Sequence, residues 1–144
     1  DIMLVGVGAV GIGAAIAIPA IIQAKEKAEE ASHMAKMKTI YNAIQLYSVE
    51  YNKYPPSGEN LLKELMEKNF LSSLDIENYE CTSIPLEFYK DNPNFPIVWQ
   101  KKENKKGMRI ALFFSGEVKR LYRYNFNWVL KDAQNLYEKS KSQK

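Results

Sequence analysis

Residues Ile2–Ile22 read IMLVGVGAVGIGAAIAIPAII, uncharged throughout, and Gln23–Tyr51 continue as QAKEKAEEASHMAKMKTIYNAIQLYSVEY, charged but helical in period. An apolar stretch of about 20 residues is long enough to cross the hydrocarbon core of a bilayer as one helix. A cleavable secretory signal fits poorly, because only Asp1 precedes the run and the apolar core of such signals ends by about 15 residues. The spacing of Gly6, Gly8 and Gly11 in GVGAVG spells a dinucleotide-binding turn, but that turn needs a βαβ unit around it. Here Pro19 interrupts the would-be phosphate helix, and Glu26, Glu29 and Glu30 fall in a helical segment. The expectation is therefore a transmembrane helix over residues 1–24, continuing into residues 25–144.

That helix is patterned for contact with other helices. Small residues recur four apart in Ala9/Gly13/Ala17 and Gly11/Ala15, the spacing that lets two backbones approach where lipid offers no hydrophobic drive for association. Four glycines within residues 6–13 exceed what an anchor requires. Each weakens the helix by about 1 kcal/mol relative to alanine, and Pro19 removes a backbone bond. Beyond the run, Ala24, Ala28, Ala31, Met34, Met37, Ile40, Tyr41, Ile44, Tyr47 and Tyr51 step by threes and fours along one stripe. The face set to pack on a head domain is Met34, Met37, Ile40, Ile44, Tyr47 and Tyr51. Pro55 and Pro56 cannot continue the helix, which is expected to stop near Asn52.

The segment AAIAIPAIIQAKEKAEEA, the amphipathic helix after it and YNKYPPSGENLLKELMEKNFL together resemble the type IV pilins and the type II secretion pseudopilins, with their class III signal-type N-terminal helix. Gly11 and Pro19 match the family's midway glycine and late proline, and Tyr54-Pro55 matches the pair that closes the helix. The likeness is close over residues 1–74 and looser beyond. Asp1 followed by Ile2-Met3-Leu4-Val5 reads like the family's N-terminal glutamate with aspartate in its place, although counting back from Pro19 puts that position at Ile2. The resemblance implies a structural subunit that polymerises through its apolar helix into a pilus-like extracellular filament. The residues implied in assembly are Asp1, Gly6, Gly8, Gly11, Gly13, Ala15 and Pro19. The implied partners are further copies of itself, the inner membrane before assembly and the pilus or secretion assembly machinery, with the cell surface as destination. The alternatives are a type II secretion pseudopilin and, from another class, a single-pass membrane-anchored binding domain, including one serving DNA uptake.

The rest of the chain is about 90 residues, enough for one small core once the amphipathic half-helix packs on it. The reading is α+β. A short helix is expected at Glu59–Asn69 with Ser57 as cap, then a loop from Leu71 to Glu80. About three antiparallel strands follow at Phe95–Lys101, Met108–Ser115 and Glu117–Tyr124, joined by turns at Lys105-Lys106-Gly107 and Ser115-Gly116. A further strand is considered at Leu86–Tyr89. The last helix is expected from Asn127 to about Ser140, with Trp128, Val129, Ala133, Leu136 and Tyr137 at helical spacing.

Catalytic chemistry is sparse in this composition. His33 is the only histidine and Cys81 the only cysteine, which excludes an intrachain disulfide and a cysteine-rich metal site. Asp75, Glu77 and Glu80 cluster, but calcium wants six to eight oxygen ligands, so a solvated surface is the preferred reading. No cofactor or metal site is expected, and the chain is read as a non-enzyme. The net charge of +3 is too small to announce nucleic acid by itself. Lys101, Lys102, Lys105 and Lys106 gather at one turn as candidates for phosphate or DNA contact, although lysines also guard strand edges from pairing with other chains.

Overall fold

A computed structural model describes residues 10–72 and 75–143, with side-chain environments from Pro19 onward. Asp1, Gly6 and Gly8 lie outside the described residues, and Gly11, Gly13 and Ala15 precede the described side chains. The chain divides into two units, Asp1–His33 and Met34–Lys144. Helix α1 spans Val10–Tyr51 and contains Pro19. In the first unit Pro19 and the residues after it to Glu29 are exposed, Ile21 and Ile22 among them. Among the described residues no helix is long and apolar enough to cross a membrane.

In the second unit, α1 presents Met37, Ile40, Ala43, Ile44 and Tyr47 to the core, each nearly or fully buried. Their steps of three and four keep them on one face. Burying each large apolar side chain contributes about 1.5–3 kcal/mol. The helix ends at Tyr51, and Asn52, with φ 55°, turns the chain out of it before Tyr54-Pro55. Helix α2, Asn60–Glu67, buries Leu61, Leu62 and Leu65 on the same core. Ser57 does not cap it; its hydroxyl instead donates to the carbonyl of Ser83 at 3.1 Å.

The fold is α+β, with one antiparallel sheet of four strands in the order β1-β2-β3-β4. The strands are β1 Tyr79–Cys81, β2 Pro96–Gln100, β3 Met108–Phe113 and β4 Val118–Tyr122. The sheet thus has one strand more than the expected three, and β1 falls where a loop was expected. Tyr79–Cys81 carries no apolar run of its own; its pairing with Val98–Gln100 makes it a strand. The strand considered at Leu86–Tyr89 is instead a 3-10 turn, Leu86–Lys90. Pro85, with φ −55°, leads into it, and the 3.0-residue period brings Leu86 and Tyr89 to the same buried side.

Side chains alternate across the sheet. Val98, Ile110 and Leu112 join α1 and α2 in the main core, while Trp99, Ala111 and Phe113 form a second cluster with Phe126. Phe126 belongs to α3, Arg123–Ser142, which starts four residues before the expected Asn127. Its inward stripe is Phe126, Leu130, Ala133 and Tyr137. Trp128 and Leu136, expected to share a stripe with Ala133 and Tyr137, are exposed.

Candidate functional site

Within the second unit, α1 packs on the rest of the core through one buried face. Of the residues expected to hold it, Met37, Ile40, Ile44 and Tyr47 are buried and Met34 is half-buried against the core. Tyr51 is partly exposed, yet its ring centroid lies 4.6 Å from that of Tyr47 and 6.1 Å from that of Phe70. The Tyr47 hydroxyl donates to Glu64 Oε2 on α2 at 2.7 Å. That carboxylate, with burial, holds the phenol up to about 12. Lys38 Nζ donates to the carbonyl of Gly116 at 2.7 Å, so the β3–β4 turn is held to α1 by a charged hydrogen bond.

A second feature is an open groove of about 820 Å³. Leu62 and Lys63 of α2, Glu80 and Cys81 of β1, and Leu130 and Gln134 of α3 contribute to its lining. Several of its polar groups are engaged within the fold. Glu80 Oε1 accepts the Trp99 indole N–H at 2.8 Å, and the Thr82 hydroxyl pairs with the Tyr89 hydroxyl at 2.7 Å. Burial, with a contribution from Glu80, pushes the Cys81 thiol up to about 12. Since the thiolate is the nucleophile, this shift disfavours reaction of Cys81 at neutral pH.

The carboxylates Asp75, Glu77 and Glu80 do not converge. Asp75 accepts a hydrogen bond from Asn78, and Glu80 serves Trp99. Among the described residues no three His, Cys, Asp or Glu side chains are grouped to hold a metal ion. His33 is half-buried on α1.

Lys101, Lys102, Lys105 and Lys106 are all exposed in the turn between β2 and β3. Asn104 builds that turn, its Oδ1 accepting the backbone N–H groups of Lys106 at 2.8 Å and Met108 at 3.0 Å. Because β2 and β3 are the two central strands, this turn guards no sheet edge. Edge protection falls to Lys119 and Arg120, which are exposed on the edge strand β4. Nearby cations are engaged otherwise. Arg123 makes a two-pronged pair with Glu103 at 2.6 and 2.7 Å, and the Arg109 guanidinium lies 4.5 Å from the centre of the Phe126 ring.

Sequence reading missed Ala43, Phe126 and Thr82 as contact residues. Ala43 continues the α1 stripe that Met37 and Ile40 open, so its spacing was the signal; Thr82 carries none, because its partner Tyr89 is reached only through the fold. Comparison with family models, curated proteins and solved structures finds no match.

Proposed function

We propose that this chain is a structural subunit of a type IV pilus-like filament, held first in a membrane and then in the filament core by the apolar run that begins at Ile2. The observation that carries the reading is the division of labour along α1. The uncharged segment Ile2–Ile22 comes first in sequence, its later part within α1, while Met37–Tyr47 is committed to the core of a small α+β head. A helix whose later half is occupied in this way leaves its apolar earlier part to find lipid or other copies of itself. The Asn52 turn and Tyr54-Pro55, which close α1, fit the pattern of the family that the sequence resembles.

In this picture the apolar run has two solvents, lipid before assembly and neighbouring helices afterwards. The small residues Gly11, Gly13 and Ala15 permit close packing, and Pro19, lacking an N–H, eases local unwinding. The α+β head coats the filament. The full-length chain then needs detergent, whereas a fragment starting at Lys25 is soluble and monomeric. Electron microscopy of the producing cells, with antibody against the head, tests the reading directly. Labelled surface filaments are the expected result. A secretion defect on deletion, with no filaments at any expression level, would replace the pilin reading by a pseudopilin, and an anchor that tolerates Gly11→Glu and Ala15→Glu would overturn both.

A further inference from the structure

The net charge of +3 is unevenly placed along the chain. Residues 101–132 hold nine basic and three acidic side chains, a net of +6, so the rest of the chain nets −3. A one-sign excess gathered on one segment makes a local field that draws anions. The three acids do little to cancel it near Lys101, Lys102, Lys105 and Lys106. Glu103 accepts from Arg123 with both of its oxygens, at 2.6 and 2.7 Å. Glu117 lies 3.7 Å from Lys119, at the other end of β4, and Asp132 is a full turn beyond Trp128 on α3. Among the described residues no carboxylate pairs with the four lysine side chains.

Exposed aromatic rings adjoin these lysines, and backbone contacts fix their placement. Met108, which follows the 101–107 turn, stands opposite Tyr122 in the β3–β4 register. The Arg123 N–H donates to the Gly107 carbonyl at 3.1 Å, so α3 begins against the lysine turn. Arg109 ties the near end of the turn to the same helix, donating to the Lys101 carbonyl at 3.2 Å while its guanidinium rests on the Phe126 ring. On that helix Tyr124 and Trp128 are 83 % and 70 % exposed. They are four apart and therefore neighbours on the helix surface.

Cations beside uncovered rings select a ligand. Single-stranded nucleic acid offers phosphates to the ammonium groups and open base faces that stack on aromatic side chains, whereas a duplex hides those faces within its own stack. A lipid surface fits less well. An interfacial helix keeps its apolar face free of charge, but here Asp132 stands on one stripe between Trp128 and Leu136.

We infer that this corner binds single-stranded nucleic acid, with Lys101, Lys102, Lys105 and Lys106 on phosphates and Tyr124 and Trp128 as stacking surfaces for bases. The site lies wholly in the head, so it stands or falls independently of filament assembly.

Trp128 is its own reporter, because Trp99, the other tryptophan, is buried. The full-length chain in an uncharged detergent is titrated with a 20-nucleotide oligo-dT while tryptophan fluorescence is followed. The expected result is quenching, with an affinity that falls about 50-fold between 50 and 200 mM salt, as four phosphate contacts on a single strand require. Measured by anisotropy of a labelled strand, Trp128→Ala should weaken binding about fivefold or more, and Lys105→Glu with Lys106→Glu about tenfold or more. Heparin, which has the charge without bases, should bind Trp128→Ala as well as it binds the wild type. Unchanged thermal midpoints in these variants keep a folding defect from passing as a lost contact. The inference is overturned by absence of binding at 50 mM salt, by binding without quenching, by tighter binding of the dA·dT duplex of the same length, or by undiminished affinity in Trp128→Ala. It is also overturned if phosphatidylglycerol mixed into the micelles shifts Trp128 emission to shorter wavelength with no oligonucleotide present, which would mark a lipid-binding surface instead.

Discussion

A β-carbon at Gly116 would stand 2.9 Å from Cζ of Tyr41, so the β3–β4 turn meets α1 at a distance that only glycine allows. The same residue has φ +98° and receives Lys38 on its carbonyl. Backbone conformation, close approach and hydrogen bond thus coincide at one turn.

Gly116→Ala is expected to destabilise the head by about 2–4 kcal/mol, since it adds both backbone strain and a clash with a packed ring. Gly58 and Gly107 also have positive φ, 79° and 78°, but open space surrounds them, so alanine there should cost only about 1–2 kcal/mol. Urea unfolding of the three variants, followed by circular dichroism, checks the order. Adding Tyr41→Leu to Gly116→Ala should recover the steric part alone, giving a coupling of about 0.5 kcal/mol or more.

Thr82 is a buried polar residue with two partners, the Tyr89 hydroxyl at 2.7 Å and the N–H of Ile84 at 3.1 Å. Thr82→Val keeps the shape but strands both, and is expected to cost about 1–3 kcal/mol. Tyr89→Phe removes only one member of the network and should cost less. In the double variant the penalties should not add, because the Tyr89 hydroxyl left unpaired by the first change is absent. Fully additive penalties in a double-mutant cycle would show that the two residues act independently.

Alkaline pH should unfold the head earlier than its charge suggests. Burial pushes Tyr79, Tyr89 and Cys81 up to about 12, and the Glu64 carboxylate does so for Tyr47. The ordinary values are 10.0 for tyrosine and 9.0 for the thiol. Between those values and 12 the unfolded chain has released protons that the folded chain retains, so stability falls as pH rises through this window and is fully present below about 9. For Tyr89 the slope approaches about 1.4 kcal/mol per pH unit. Denaturant midpoints measured from pH 8 to 11.5 should be level at first and then drop, and Tyr89→Phe should make the drop shallower.

How far the sequence discloses this fold depends on whether each element carries its own pattern. The stripe Met37, Ile40, Ile44, Tyr47 is long and periodic, and it packs as read. β2 and β3 are nearly continuous apolar runs, IVW and IALF, bounded by turn residues, and they too stand where expected. β1 could not be read because Tyr-Glu-Cys has no strand character apart from its partner. Leu86–Tyr89 misled because a short apolar stretch fits a strand or a single 3-10 turn, and the preceding Pro85 decides for the turn. Of the candidate site, the α1 face was legible from period alone. The groove was not, since its walls come from segments as distant as Leu62 and Gln134.

The C-terminal helix offers the sharpest contrast between a core residue and a surface one of the same kind. α3 has apolar residues on two stripes, and spacing by threes and fours fits either, so the sequence does not say which faces inward. Phe126 is 4 % exposed, with its ring centroid 5.4 Å from that of Trp99, and the Arg109 guanidinium lies over its face. Phe126→Ala opens a cavity under the sheet and removes the ring on which that cation rests, so it should cost about 3–5 kcal/mol. Trp128, two residues on, is the larger side chain, but little of the chain covers it. Trp128→Ala should therefore shift stability by less than about 0.5 kcal/mol. Thermal unfolding of a fragment starting at Lys25 separates the two variants without reference to assembly. Equal losses would mean that Trp128 is packed within the head after all.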